Sequence, residues 1–154
     1  MRKFIFLPVL ISMTFFLFVY ISFNYEYIET ASSESPDMVI DQNDHLHVVY
    51  YKKTGWPWYS TYAYFDGSNW TTEDIVGSDG MHSIAVDDSG NPYVVFISGG
   101  DLLYAWKNGS VWSTDTIDNT DWCHDNCIKV DGNGHLHVSY TAGLTSHYLK
   151  YAYF

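Results

Sequence analysis

The densest group of chemically competent side chains is Cys123-His124-Asp125-Asn126-Cys127, followed by His137 and Tyr140. Thiol, imidazole and phenol groups can form disulfides, bind metals or carry protons in catalysis. Because three residues separate the two cysteines, a turn between them would allow a local disulfide, which is the first interpretation. Zinc bound by Cys123, His124 and Cys127 is the alternative, but no fourth ligand is signalled. We therefore expect a disulfide, and neither a metal site nor a cofactor.

A second candidate set contains aromatic and imidazole side chains that occur once each. Trp56-Pro57-Trp58-Tyr59 is a unique aromatic stretch in one connecting loop. Exposed rings of this kind stack on the apolar faces of sugars, whereas buried rings fill a core, and both interpretations stay open for Trp56 and Trp58. The predicted ligand-binding residues are Trp56, Trp58, Tyr59, His82, Trp122, His124 and His147.

A threefold repeat must position these side chains. The segments MVIDQNDHLHVVY (38–50), IAVDDSGNPYVVF (84–96) and IKVDGNGHLHVSY (128–140) share one pattern. Their aspartates, Asp41, Asp87 and Asp131, are 46 and 44 residues apart. A recurrence at this period is typical of repeat architectures. The turns after the aspartates lack the alternating oxygen ligands and closing glutamate of a calcium loop, so we expect turn capping.

Each repeat contains four short strands. The first is the apolar triplet before the aspartate, the second follows the turn, the third carries a Tyr-Ala pair, and the fourth opens on Trp70 or Trp112. Four antiparallel strands in roughly 40–50 residues are the dimensions of a β-propeller blade. We therefore predict an all-β chain with an outer strand at 25–30, blades at 35–76 and 82–118, and a partial blade at 127–154.

Repetition also separates structural from functional side chains. A residue present in every blade is expected to build blades, whereas one present in a single blade is free for another role. His47, Tyr93 and His137 recur on the second strand, which favours packing between blades with a hydrogen bond.

About three blades form an incomplete ring, because propellers close with about four to eight. Two copies could close a six-bladed ring as a homodimer, each N-terminal strand completing the last blade of its partner. Alternatively, the chain is a fragment of a longer propeller. The sequence favours the fragment, since longer propellers also begin with an outer strand.

The N-terminal residues predict export. Residues 4–23 form an uncharged apolar run after Arg2 and Lys3, long enough for a hydrophobic helix that crosses a bilayer. Residues 1–24 are interpreted as a signal peptide or a signal anchor. Both place the remaining chain in an extracellular, periplasmic or cell-surface location, where disulfides persist.

Charge excludes two partner classes. The net charge is −11, and Arg2 is the sole arginine. This balance repels nucleic acid and anionic lipid, so contact with a membrane is expected through the N-terminal segment alone.

Two repeats carry a family resemblance. Segments 83–96 and 128–140, each followed by a Leu-x-Tyr-Ala strand, resemble repeats of bacterial exported propellers of the sialidase-like and fucose-specific-lectin-like kinds. That resemblance implies a ring of five to seven blades that often binds or processes glycans. The Ser-x-Asp-x-Gly-x-x-Trp box of sialidases does not occur.

A narrower resemblance covers residues 121–140. This segment is similar to the repeats of propeller-type polysaccharide lyases, which would make His124, His137 and Tyr140 the acid and base groups. No arginine follows Arg2 to bind a uronate or sialate carboxylate. We therefore expect a non-catalytic module that binds glycans or surface proteins. Part of a polysaccharide lyase or glycosidase, and a self-assembling structural surface protein, are the alternatives.

Overall fold

The computed structural model describes residues 24–78 and 80–154. The expected N-terminal hydrophobic helix lies outside these residues. Within the described part, no helix has the length and apolar character needed to cross a membrane. The described residues form eleven strands: β1 (Ser33–Ile40), β2 (Leu46–Lys52), β3 (Tyr59–Phe65), β4 (Trp70–Gly77), β5 (Gly80–Val86), β6 (Pro92–Ser98), β7 (Asp101–Asn108), β8 (Val111–Asp118), β9 (Cys123–Val130), β10 (Leu136–Ala142) and β11 (Tyr148–Tyr153).

Three antiparallel sheets confirm the predicted blades. Blade 1 has the order β1-β2-β3-β4, blade 2 has β5-β6-β7-β8, and blade 3 has β9-β10-β11. Within each sheet, strands that are consecutive along the chain pair with each other. The first strands, β1, β5 and β9, lie side by side, since Asp37 accepts a hydrogen bond from the Ile84 amide and Ser83 donates to Asn126.

The aspartate turns cap the first hairpin of every blade, as the sequence predicts. One carboxylate oxygen of Asp41 accepts the amides of Asn43 and His45 at 2.8 and 2.9 Å. Asp87 and Asp131 make the same pair of bonds to the amides two and four residues ahead. These bonds satisfy the turn amides and pin the register of each hairpin.

The blades stack face to face, because alternate side chains of each strand point to opposite sides. We call the side that carries Val49 in blade 1 and Val95 in blade 2 the forward face, and the opposite side the rear face. The forward face of blade 1 packs on the rear face of blade 2 at Val94. The forward face of blade 2 packs on the rear face of blade 3 at Val138. One repeated interface therefore builds both cores.

Two features differ from expectation. Residues 24–32 form no strand, although 25–30 was expected to be an outer strand; this segment lies across the rear face of blade 1, where Ile28 packs. The local disulfide is wrong, because Cys123 and Cys127 are both free and lie on one strand, β9. Four residues of strand span about 13 Å, beyond the roughly 7 Å that a disulfide bridges between Cα atoms.

Candidate site in the cleft between blades 1 and 2

A cleft of about 310 Å³ opens between blades 1 and 2, at the end of the stack where the aspartate turns lie. Strands β3 and β4 form one wall, and the hairpin turns of blade 2 form the other. Its lining residues are His47, Tyr62, Tyr64, Thr71, Glu73, Gly90, Asn91, Pro92, Lys107 and Gly109.

An ion pair joins the two walls of the cleft. Lys107 Nζ lies 2.7 Å from Glu73 Oε1, and the Trp112 indole nitrogen donates to Glu73 Oε2 at 3.1 Å. Glu73 comes from the forward face of β4, whereas Lys107 and Trp112 sit opposite each other on the rear face of blade 2. Stacking of the blades therefore brings a carboxylate, an ammonium group and an indole together.

Aromatic rings surround this ion pair. The Tyr62 and Trp112 rings meet edge to face with centroids 5.2 Å apart. Lys107 Nζ lies 5.6 Å from the Tyr62 centroid and 5.7 Å from the Trp112 centroid, a distance suited to cation–π attraction. Such contacts hold the ammonium group in place while leaving part of it solvent-accessible.

His47 forms the buried side of the cleft. It is almost fully buried, its Nδ1 lies 2.7 Å from the Tyr62 hydroxyl, and its ring lies edge-on to Tyr64. Burial lowers the pKa of His47, although Asp41 opposes this shift. A neutral His47 therefore accepts a hydrogen bond from the Tyr62 hydroxyl group at Nδ1. Tyr62 and Tyr64 both belong to blade 1, so the expected packing of His47 between blades stays a prediction.

The cleft can recognise a hydroxylated ligand. Glu73 accepts hydrogen bonds, Lys107 donates them, and the tyrosines offer ring faces and hydroxyl groups. Hydroxyl groups of a sugar both donate and accept, so two neighbouring hydroxyls match a carboxylate and an ammonium group set side by side.

The first group of predicted ligand residues lies at the opposite end of the stack. Trp56 is 82 % exposed and lies 5.4 Å from Trp58, centroid to centroid. Trp58 meets Tyr51 edge to face. The interpretation of Trp56 as inter-blade core is therefore wrong, and the exposed-surface interpretation fits. Tyr59 begins β3 and is partly buried.

His82 lies beneath that aromatic surface rather than on it. Its side chain is buried between blades 1 and 2, where Nε2 lies 2.7 Å from the Ser60 hydroxyl and the ring lies 6.1 Å from Tyr51. A ligand would reach His82 only after the surrounding side chains had moved.

The second group of predicted ligand residues lies on blade 3. His124 and His147 stack with centroids 4.2 Å apart, and Trp122 is half exposed against Gly100. These residues share an end of the stack with Trp56 and Trp58, but they belong to another blade. The structure thus places the exposed members of the predicted set on two separate surfaces, with His82 buried beneath the first.

The three alternative catalytic residues do not converge. His137 and Tyr140 point to opposite faces of β10, so His137 lies on the forward face beside Tyr151 and Tyr140 is buried in the rear-face core. The Tyr140 hydroxyl donates to Asp118, and burial together with that carboxylate raises the Tyr140 pKa. His124 contacts the Gly143 carbonyl and His147 instead. Among residues 24–78 and 80–154, no cluster of His, Cys, Asp or Glu is arranged to hold a metal ion.

Sequence reasoning missed Glu73 and Lys107, although a signal existed. Lys107 occupies the third-strand position that Phe65 and Phe154 hold in the other blades. A charged residue at a position that is otherwise aromatic is specific to one blade. The same comparison that selected Trp56 would have selected Lys107.

No family model and no curated protein match the sequence. Among solved structures, a fucose lectin from Kordia zhangzhouensis in complex with methyl-fucoside matches with a TM-score of 0.55 and 14 % identity, over 78 % of this chain and 92 % of that chain. An intramolecular trans-sialidase from Ruminococcus gnavus, in complex with oseltamivir carboxylate, matches with a TM-score of 0.49 and 16 % identity, over 80 % of this chain and 32 % of that chain. Together with the three blades, the likeness to the lectin shows a fold of the β-propeller type.

Proposed function

We propose that the chain is an exported or membrane-anchored, non-catalytic module that binds glycans, and that the cleft between blades 1 and 2 holds a neutral sugar. The observation that carries this proposal is the Glu73–Lys107 pair, 2.7 Å apart and bordered by Tyr62 and Trp112. A carboxylate and an ammonium group beside aromatic rings supply the two kinds of contact that a sugar offers, hydroxyl groups on its rim and C–H groups on its faces.

Charge favours a neutral sugar over an acidic one. Glu73 already neutralises Lys107, and the chain carries a net charge of −11. A sialate or uronate carboxylate would meet a negative field without a free cation in the cleft. The fold likeness to a fucose lectin supports a sugar of the neutral class as the first ligand to test.

Calorimetric titration of the full chain with methyl-fucoside and methyl-galactoside, with sialyllactose and glucuronate as acidic comparisons, tests this function. We expect Glu73→Gln and Lys107→Met each to weaken binding about tenfold, because each removes the charge from a group whose charged hydrogen bond is worth about 1.5–3 kcal/mol. Asp115→Asn is the matched control. It occupies the Glu73 position of blade 2, outside this cleft, and should leave the affinity unchanged.

A Trp56→Ala/Trp58→Ala double variant distinguishes the cleft from the exposed aromatic surface. Binding that is lost in this variant and retained in Glu73→Gln would move the site to the β2–β3 loop and refute the cleft. Absence of binding to every sugar on a broad glycan array would refute the glycan-binding function. Release of unsaturated uronates from acidic polysaccharide would support the lyase alternative instead.

A further inference from the structure

We propose that the loop between β2 and β3 carries a second carbohydrate site, which takes the internal sugar units of a neutral, extended polysaccharide. The site consists of Glu34, Lys53, Trp56 and Trp58, here called the loop site. It lies at the opposite end of the stack from the cleft, and it shares no residue with the lining of the cleft. It therefore goes beyond the proposed function and can be tested separately.

The loop site contains an ion pair of the same kind as the cleft. Lys53 Nζ lies 2.7 Å from Glu34 Oε2, which is also the distance between Lys107 and Glu73 in the cleft. Both side chains of the loop-site pair reach solvent, with 28 % of Lys53 and 56 % of Glu34 exposed. A carboxylate beside an ammonium group offers acceptors and donors to one ligand, so the pair can bind two neighbouring hydroxyl groups of a sugar.

Aromatic rings border this ion pair, as they border the pair in the cleft. Lys53 Nζ lies 5.5 Å from the Tyr51 centroid and 5.4 Å from the Trp58 centroid, within the range of cation–π attraction. The Tyr51 and Trp58 rings meet edge to face, with centroids 5.8 Å apart. In the cleft, Lys107 lies at similar distances from two rings that also meet edge to face. The same combination of carboxylate, ammonium group and two rings therefore occurs at both ends of the stack.

Trp56 adds a third ring to the loop site. Its ring meets that of Trp58 at 72° with centroids 5.4 Å apart, so the two indoles form a corner that is open to solvent. An exposed aromatic surface bordered by polar groups is typical of an interaction site. A pyranose ring fits such a corner, because it carries C–H groups on its faces and hydroxyl groups on its rim. Since Lys53 lies over Trp58, the ring face offered for stacking is that of Trp56.

Backbone hydrogen bonds hold the loop in position. The Lys53 amide donates to the Ser32 carbonyl at 2.8 Å, and the Ser78 amide donates to the Trp58 carbonyl at 3.1 Å. The first bond fixes the start of the loop to the residue before β1, and the second fixes its end to the residue after β4. Binding a ligand therefore orders little additional chain, which lowers the entropic cost of association.

The openness of the loop site indicates a different ligand from that of the cleft. Two blades wall the cleft, which suits a sugar at the end of a chain. A polysaccharide can instead run across Trp56 in both directions. Pyranose units with equatorial hydroxyl groups present flat C–H faces to such a surface, and the net charge of −11 disfavours acidic units. Cellohexaose, a soluble chain of β-linked glucose units, is therefore the probe.

Calorimetric titration of the full chain with cellohexaose tests the loop site. Trp56→Ala and Lys53→Met should each weaken binding about tenfold, because the first removes a typical hot-spot side chain and the second a charged donor. Trp56→Phe, which keeps a ring, should restore most of the affinity. Lys129→Met, on the exposed surface of blade 3, is the matched control and should have no effect. Because Trp56 is exposed, Trp56→Ala should unfold at the same temperature as the unmodified chain.

The length of the sugar chain gives a second reading. An open surface binds a polysaccharide through several units at once, so methyl-glucoside should bind much more weakly than cellohexaose. Equal affinities for the two sugars would contradict the assignment to internal units.

Crossed measurements separate the loop site from the cleft. Glu73→Gln should retain the binding of cellohexaose that Trp56→Ala loses, and Trp56→Ala should retain the binding of methyl-fucoside that Glu73→Gln loses. Undetectable binding of cellohexaose, or unchanged binding by Trp56→Ala, would refute the loop site and leave the cleft standing. Loss of cellohexaose binding in Glu73→Gln alone would assign this sugar to the cleft and would also refute the loop site.

Discussion

The imidazole Nε2 of His82 lies 2.7 Å from the Ser60 hydroxyl across the interface between blades 1 and 2. Both side chains are buried. Desolvation lowers the pKa of His82 from 6.5 to about 4, because the buried site disfavours the imidazolium form. A proton at this site therefore destabilises the interface between the first two blades.

Acid is expected to destabilise the protein through His82. Between pH 6.5 and 4 the unfolded chain binds a proton at this position and the folded chain does not, so stability falls as pH falls through this window. The full loss is about 3 kcal/mol, from roughly 1.36 kcal/mol for each unit of pKa difference. Thermal unfolding from pH 7 to pH 4 measures it. His82→Gln should reduce this loss of stability in acid; an equal loss in His82→Gln would contradict the prediction.

Asp118 is expected to be the most sensitive carboxylate of the junction between blades 2 and 3. Its Oδ2 atom accepts hydrogen bonds from Tyr140 and Lys150, both at 2.8 Å, and Oδ1 accepts two from Thr120. Although burial raises the Asp118 pKa, these donors lower it well below its usual range. Asp118→Ala should cost about 1–3 kcal/mol of unfolding free energy, because it leaves the buried Tyr140 hydroxyl group unpaired. Chemical denaturation measures this cost.

Tyr140→Phe completes a double-mutant cycle with Asp118→Ala. The single change should cost about 1 kcal/mol and should cost much less once Asp118 is absent, since the two groups share one hydrogen bond. Additive costs would show that this bond does not stabilise the fold.

The two cysteines should differ sharply in reactivity. Cys123 is 1 % exposed and burial raises its thiol pKa, whereas Cys127 is exposed on the forward face of blade 3. A thiol reagent should therefore label one site per folded chain, lost in Cys127→Ser, and two per chain in denaturant. A reductant should leave the melting temperature unchanged. If no cysteine were labelled before reduction, the two thiols would have to be joined in a local disulfide after all.

Gly100 should tolerate a side chain less well than Gly99. Both have positive φ, 63° at Gly99 and 89° at Gly100, so alanine at either costs about 1–2 kcal/mol of backbone strain. An added Cβ at Gly100 would also lie 2.8 Å from the Trp122 ring, whereas an added Cβ at Gly99 would have no heavy atom within 4 Å among those considered. Gly100→Ala should lower the melting temperature more and change tryptophan fluorescence. Equal effects would mean that Trp122 does not pack on Gly100.

The blades were predictable because their signals are local. Each hairpin carries its own aspartate turn and its own alternation of apolar residues, so Asp41, Asp87 and Asp131 mark the strands without knowledge of the rest of the chain. The cleft was not predictable in the same way. Glu73 and Lys107 are 34 residues apart and meet only after two sheets have stacked. The alternation of residues along a strand shows which side chains share a face of the sheet. It does not show which face of the neighbouring sheet packs against them.

The wrong prediction of a disulfide has a similar cause. The repeat comparison started the first strand of blade 3 at the apolar triplet that begins with Ile128, and it left the cysteines in a connecting loop. In the structure β9 begins at Cys123, with an irregularity opposite Tyr140 and Thr141. Pairing with β10 extends the strand beyond its apolar part, and this pairing depends on the partner strand rather than on the cysteine segment itself.

The sequential pairing of strands also governs how the molecule opens. Because every sheet is built from consecutive hairpins, a blade can lose its backbone hydrogen bonds while its neighbours keep theirs. Among the described residues, blade 2 is covered on both faces, whereas the forward face of blade 3 has no neighbouring sheet. Amide hydrogen exchange should consequently proceed as a gradient, fastest in β9–β11 and slowest in β5–β7. The chain then consists of three partly independent cooperative units, and the amides of its middle unit are protected from exchange the longest.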